Sequence, residues 1–150
     1  MNLIDIGSKC EYPASELSNF AAHLFVFDGV ECASMEGLLQ SFRIPDFEKQ
    51  KEMCKLVGFK AKKAGFEFDW RKTQTLHWNG IEYKRDSKEY QDLLDRAYAA
   101  LGSNKGVQEA LKATGDDILS HPIGKTDIRE TILTRSEFCT RLTKLRKSLV

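Results

Sequence analysis

The sequence predicts a mainly helical α+β fold, a compact single domain of helices packed around one or two small β-hairpins. Three observations predict it. Apolar residues recur at helical spacing behind recognisable caps in several separate stretches. Two X-Gly dipeptides, Asp28-Gly29 and Asn79-Gly80, sit between β-prone runs. The 150 residues show no break in composition, which suits one core and one domain over residues 1–150.

The first local signal is Leu24-Phe25-Val26-Phe27-Asp28-Gly29-Val30-Glu31-Cys32. Asp-Gly between two such runs is the chemistry of a two-residue type I′ turn, whose central residues both need φ > 0. Ser34 then offers a hydroxyl N-cap for a helix from Met35 to about Arg43, with Met35, Leu38, Leu39 and Phe42 on its apolar face and Pro45 ending it. A second helix is expected from Asp46 to about Val57, directing Phe47, Met53, Leu56 and Val57 to the core, with Gly58 as its stop. From Phe59 to Asp86 only the basic cluster Lys60, Lys62, Lys63 and a second hairpin at Trp78-Asn79-Gly80-Ile81 stand out. A helix fits Lys88 to Leu101, introduced by Asp86 with Glu89 three residues on and closed by Gly102. Ser103 caps a further helix to about Thr114, which Gly115 terminates, and Asp116 to Asp127 reads as loop with a short extended piece. The last helix is the clearest. Thr134 and Glu137 form a capping box, and Phe138, Leu142, Leu145 and Leu149 follow at i, i+4, i+7 and i+11.

Composition narrows the function classes. With 41% hydrophobic and 30% charged residues the chain is neither disordered nor membrane-spanning. No apolar run approaches the roughly 18 residues a membrane helix needs. Met1-Asn2-Leu3-Ile4-Asp5 carries neither a basic patch nor a long apolar stretch, so no signal peptide is expected and a cytoplasmic location follows. A formal charge of +1 gives no net field to draw in DNA, although a local patch can hold a phosphate. Cys10, Cys32, Cys54 and Cys139 contain no CxxC pair, and His23, His77 and His121 stand in no metal-like spacing with them. Reduced core thiols are expected, with no metal and no cofactor.

Glu36, Gln40 and Arg43 fall at i, i+4 and i+7, a polar stripe on the side of the first long helix away from Met35, Leu38 and Phe42. Such a stripe is usually a solvated face. Its position, with a carboxylate in the first turn of a capped helix that directly follows a hairpin, makes it a candidate site.

Three segments of this region, Leu17-Ser18-Asn19-Phe20, Phe25-Val26-Phe27-Asp28-Gly29 and Ser34-Met35-Glu36-Gly37-Leu38-Leu39-Gln40-Ser41-Phe42-Arg43, resemble in order and spacing the signature of the NADAR, or YbiA-like, family. That signature runs Ser-Asn-Phe, an apolar strand, Asp-Gly, then a Glu-led helix carrying Gln and ending in Lys. Ala61-Lys62-Lys63-Ala64-Gly65 is similar to the family's Ala-Lys-x-x-Gly-Arg segment, with Phe66 in place of the Arg. Leu111 to Asp116 resembles its Leu-x-x-Thr-Gly-Asp segment, and Leu142 to Leu149 its terminal helix. The family's Trp-Gly-x-Gly segment has no counterpart between Ser120 and Leu133.

The resemblance implies a YbiA-like fold and an N-glycosidase acting on a ribose-phosphate or ADP-ribose conjugate, with a reach that extends to ADP-ribosylated nucleic acid. It implies Glu36 as the catalytic carboxylate that stabilises an oxocarbenium-like transition state or activates water, with Asp127 loosely matching a second acidic position. Asn19 would bond a ribose hydroxyl or base edge, Phe20 would stack on a base, and Gln40 would orient Glu36 or the substrate. Arg43, where the family has Lys, and Lys62 are phosphate candidates. Trp70 or Trp78 would supply a stacking face. His121 is a candidate acid or base near neutral pH, a packed or surface histidine being the plainer reading. Two alternatives stay open: a catalytically diverged module that sequesters a nucleotide or ADP-ribose-like ligand, and a purely structural or protein-interaction domain.

Overall fold

The computed structural model describes residues 2–149. Its elements run β1 (Leu3–Asp5), α1 (Ala14–Leu17), β2 (Phe25–Phe27), β3 (Val30–Cys32), α2 (Met35–Ser41), α3 (Phe47–Met53), α4 (Gly58–Gly65), β4 (Thr75–Trp78), β5 (Ile81–Lys84), α5 (Lys88–Leu101), α6 (Lys105–Ala113), β6 (Ile118–Ser120) and α7 (Arg135–Ser148). The fold is mainly helical, with three separate two-stranded sheets. No helix among the described residues is long and apolar enough to cross a membrane.

Both hairpins form where the turn chemistry requires. Asp28 and Gly29 adopt φ of 47° and 80°, and Asn79 and Gly80 adopt 49° and 81°, the left-handed pair of a type I′ turn. β2 pairs antiparallel with β3, and β4 with β5. The Asp28 carboxylate has a further use. It accepts 2.8 Å from the Trp78 indole N–H and 2.9 and 3.0 Å from Arg96, so the first turn is tied to the second hairpin and to α5.

Ser34 caps α2, its hydroxyl accepting from the Gly37 N–H at 3.0 Å. The helix expected from Asp46 to Val57 is shorter: Asp46 caps it, but α3 ends at Met53 and Gly58 is the first residue of α4 rather than a stop. The reason is tertiary. The carbonyls of Cys54 and Leu56 accept from the Ala33 N–H and the Ser34 hydroxyl, at 2.9 and 2.8 Å, and are lost to a continuing helix. Two expected caps move by one residue. Ser87, not Asp86, accepts from the Tyr90 N–H, and Asn104, not Ser103, accepts from the Val107 N–H. The Ser103 hydroxyl instead donates back to the Ala100 carbonyl. The Thr134–Glu137 capping box is present on α7. The extended piece after α6 is β6, which pairs in parallel with β1.

The core gathers Phe27, Phe42, Trp78 and Tyr90 in edge-on and tilted contact, with ring centroids 5.3 to 6.3 Å apart. Aromatic pairs at this spacing add to plain burial. Cys32 and Cys54 are buried, Cys139 is half-buried and Cys10 is exposed, so the expectation of core thiols fails at Cys10, which lies before α1.

α2 occupies the centre of the fold. It packs against α3, α4 and β3, and every residue from Gly37 to Ser41 is buried. The Glu36–Gln40–Arg43 stripe is therefore not a solvated helix face.

Candidate active site

A cavity of about 700 Å³ opens beside α2, a size that suits a nucleotide-like ligand. One wall is α2 with Glu36, Leu39 and Gln40, extended by Arg43 just past its end. A second comes from the segment before β2, with Ser18, Asn19 and Phe20. Lys62 reaches it from α4, and Phe66, Asp69, Trp70 and Arg71 from the segment after α4. The segment between β6 and α7 closes it with His121, Ile123, Gly124 and Lys125, then Glu130 to Thr134.

Within this cavity the stripe is one hydrogen-bonded chain. Gln40 Nε2 donates to Glu36 Oε2 at 2.7 Å, and Arg43 Nη1 donates to Gln40 Oε1 at 3.0 Å. Arg43 Nε is held by the Phe68 carbonyl at 3.1 Å, and its guanidinium lies 6.0 Å from the Phe66 ring centre. Both ends of the Gln40 amide are thus bonded, which is what allows that side chain to be only 6% exposed. The position depends on Gly65, where a Cβ would stand 2.0 Å from Gln40 Oε1.

Burial pushes the Glu36 carboxyl above the ordinary carboxylate range, although the Gln40 bond and the Lys62 and Arg43 charges oppose the rise. Arg43 is shifted down, by burial and by the like charge of Arg71, against the pull of Asp69 and Glu36. The Glu36 N–H donates to the Asn19 carbonyl at 2.9 Å, which fixes the Ser18–Phe20 segment over the start of α2. The Asn19 side chain is anchored from behind: the buried Tyr98 hydroxyl donates to Asn19 Oδ1 at 2.9 Å. Burial raises the Tyr98 phenol well above its usual value, opposed by the Asn19 bond and reinforced by the Glu36 charge, so the hydroxyl keeps its proton.

Of the residues singled out in the sequence, Asn19, Phe20, Glu36, Gln40, Arg43, Lys62 and Trp70 line this one cavity. Two do not. Trp78 is 1% exposed in the aromatic core, its indole N–H spent on Asp28, so it offers no free stacking face. Asp127 is exposed and lies outside the lining; its carboxylate accepts from the Arg129 N–H in a local turn. Trp70, 3% exposed, is thus the tryptophan at the cavity. Sequence reasoning missed Phe66, Asp69, Arg71, Lys125 and Glu130, all lining residues. The adjacency of Arg71 to Trp70 was the one available signal.

The fold is of the YbiA-like class. The NMR structure of the E. coli protein YbiA superposes with a TM-score of 0.64 over 99% of this chain and 84% of that chain, at 18% identity. Within that class the chain belongs to the bacteriophage protein GP30.3 family, whose model matches residues 11–147. A 17.1 kDa protein from the Gp30-rIII intergenic region of Enterobacteria phage T4 is 36% identical over 152 residues, covering 99% of this chain and all of that relative.

Proposed function

We propose that the protein is an N-glycosidase that cleaves the C1′–N bond of a ribose-phosphate or ADP-ribose conjugate, with Glu36 as the acting carboxylate. One observation carries the proposal. Glu36 is a carboxyl group of raised pKa in a large cavity, bonded by Gln40, with Arg43, Lys62, Arg71 and Lys125 around the same space. A carboxyl placed this way suits water activation near neutral pH. Once ionised, its charge stabilises the positive charge that builds on the ribose as the bond breaks. The basic side chains suit the phosphates of such a conjugate, and Trp70 and Phe66 suit its base. The likeness to the NADAR signature supports the same reading, and extends the proposed substrates to ADP-ribosylated nucleic acid.

A second reading has its own support: Asp127, the second acidic position implied by that likeness, lies outside the cavity, which suits a module that binds such a ligand without turning it over. One experiment separates the two. ADP-ribosyl-guanosine and ribosylamine 5-phosphate conjugates are incubated with the protein, and mass spectrometry follows the released base. Release by the natural protein, reduced by about a hundredfold or more in a folded Glu36→Gln variant, is expected for the enzyme. Saturable binding without release supports the module. Release that Glu36→Gln leaves unchanged overturns the role of Glu36.

A further inference from the structure

We infer that His121 is the acid that protonates the departing base, an assignment that rests on the N-glycosidase reading above. His121 lies just past β6, outside the NADAR-like segments, and stands on a cavity wall that Glu36 does not share. Three contacts fix its ring. Nδ1 lies 2.8 Å from the Ile6 carbonyl, and a carbonyl only accepts, so Nδ1 carries the hydrogen. The ring meets Phe138 edge-on, with centroids 5.2 Å apart. Gly124 leaves the space its edge occupies, since a Cβ there would stand 2.6 Å from His121 Cδ2.

Nε2, the remaining ring nitrogen, has no hydrogen-bond partner among the described residues, and the side chain is only half-buried in the cavity wall. The Ile6 carbonyl fixes the tautomer, and the free nitrogen is left on a residue that lines a nucleotide-sized space. This is the arrangement by which a backbone carbonyl orients a working imidazole.

The chemistry requires such a group. When the C1′–N bond breaks, its electron pair goes to nitrogen, and an amine-type base departs poorly as an anion. In the proposed step the imidazolium gives its Nε2 proton to that nitrogen while keeping the Nδ1–H bond to Ile6. Water then bonds to C1′ and loses a proton to the Glu36 carboxylate. The products are the free sugar hydroxyl and the neutral base. Glu36 is left protonated and His121 neutral, and exchange with solvent restores both. The other charged groups lining the cavity are Arg43, Lys62, Asp69, Arg71, Lys125 and Glu130. The acidic ones, Asp69 and Glu130, are both exposed, and the Asp69 carboxylate already accepts from the Arg71 N–H.

The test compares two conjugates that share one sugar diphosphate: ADP-ribosyl-guanosine, whose leaving nitrogen needs a proton, and ADP-ribosyl p-nitrophenol, whose phenolate leaves without one. His121→Asn keeps a donor for the Ile6 carbonyl but lacks Nε2. Its kcat is expected to fall about a hundredfold on the guanosine conjugate and by less than about threefold on the aryl one. Glu36→Gln is expected to lose turnover on both. Gly124→Ala, whose Cβ would stand 2.6 Å from the ring and 2.9 Å from Arg135 Cβ, displaces the ring while retaining it; it should show the same selective loss and serves where His121→Asn does not fold. Equal losses on the two conjugates, or none, overturn the assignment of His121 while the N-glycosidase reading stands. A natural protein that cleaves neither of these, nor a ribosylamine 5-phosphate conjugate, overturns both.

Discussion

Gly65→Ala probes how the site is assembled, and its cost can be worked out from the contacts. The new Cβ would stand 2.0 Å from Gln40 Oε1, 2.7 Å from its Cδ and 3.3 Å from its Cβ, where ordinary contact begins near 3.4 Å. The Gln40 amide therefore has to leave. Its departure breaks the 2.7 Å bond to Glu36 and the 3.0 Å bond from Arg43. Hydrogen bonds to charged groups are worth about 1.5–3 kcal/mol each, and replacing a helical glycine returns about 0.5–1 kcal/mol. The net cost is then about 2–5 kcal/mol, which lowers Tm by about 2–4 °C per kcal/mol in a chain of this size. In a Gln40→Ala background the amide is already gone and only the 3.3 Å approach to Cβ remains. There Gly65→Ala should cost less than about 1 kcal/mol. Urea unfolding of the natural protein, both single variants and the double variant closes the cycle. A coupling of about 2 kcal/mol or more is expected, high for neighbouring residues. Costs that add to within about 0.5 kcal/mol would refute the claim that Gly65 exists to seat Gln40.

Further predictions concern the titrating and buried polar groups. Glu36 has a raised pKa in the fold, chiefly through burial, so the native state holds its proton more tightly than the unfolded chain. Stability is then lost as pH rises from the ordinary carboxylate value through the folded one. Glu36→Gln should accordingly melt higher than the natural protein at pH 7 in differential scanning calorimetry, with the difference closing below about pH 4. Glu137 is the opposite case. Burial works to raise its pKa, but hydrogen bonds from Arg85, Gln91 and the Thr134 N–H outweigh it and hold the carboxyl below its ordinary value. Its contribution is present above the unfolded carboxylate value and is lost as pH falls through the folded one. Glu137→Gln leaves the 1%-exposed Arg85 without its counter-charge, at a cost of about 3–5 kcal/mol measured by denaturant unfolding. Asp28→Ala strands the Trp78 indole N–H and should cost about 1–3 kcal/mol. Asp28→Asn, which keeps an acceptor and tolerates φ > 0, should cost less in the same assay.

The elements legible in the sequence are those whose signals are local. Both hairpins were legible because Asp28-Gly29 and Asn79-Gly80 encode their own turns, and α7 because Thr134 and Glu137 cap it reciprocally. α4 was not, for a physical reason: its buried positions are Ala61 and Gly65, small residues that admit close packing on α2 but write no apolar period. Nor does Val57 give it a side-chain cap. The β1–β6 ladder joins residues more than a hundred positions apart, and Leu3, Asp5 and Ile118 at its ends are exposed. No window of sequence contains it. The site divides in the same way. Glu36 and Gln40 lie on α2 and Arg43 two residues past its end, so their spacing reads as one stripe, while the His121–Thr134 wall is almost free of regular structure and reaches the cavity only through tertiary contacts.

That division also explains the electrostatic character of the cavity. A buried polar stripe on a central helix is costly unless each group is bonded, and the Gln40 amide meets the requirement at both ends. The two charges flanking it are not relieved to the same degree. Glu36 is driven toward its neutral form by burial, and Arg43 is disfavoured as a cation by burial and by Arg71. Two arginines facing one space without a carboxylate bonded to either side chain, among the described residues, leave positive charge for an anion to neutralise. Phosphate oxygens between them would remove the repulsion and draw bidentate bonds that the Phe68 and Glu130 carbonyls satisfy only in part. Under the proposed function, binding free energy of that kind would seat the sugar of a conjugate against Glu36. The unfavourable charge arrangement of the cavity is thus a property expected of a binding site and costly for a surface with only a structural role.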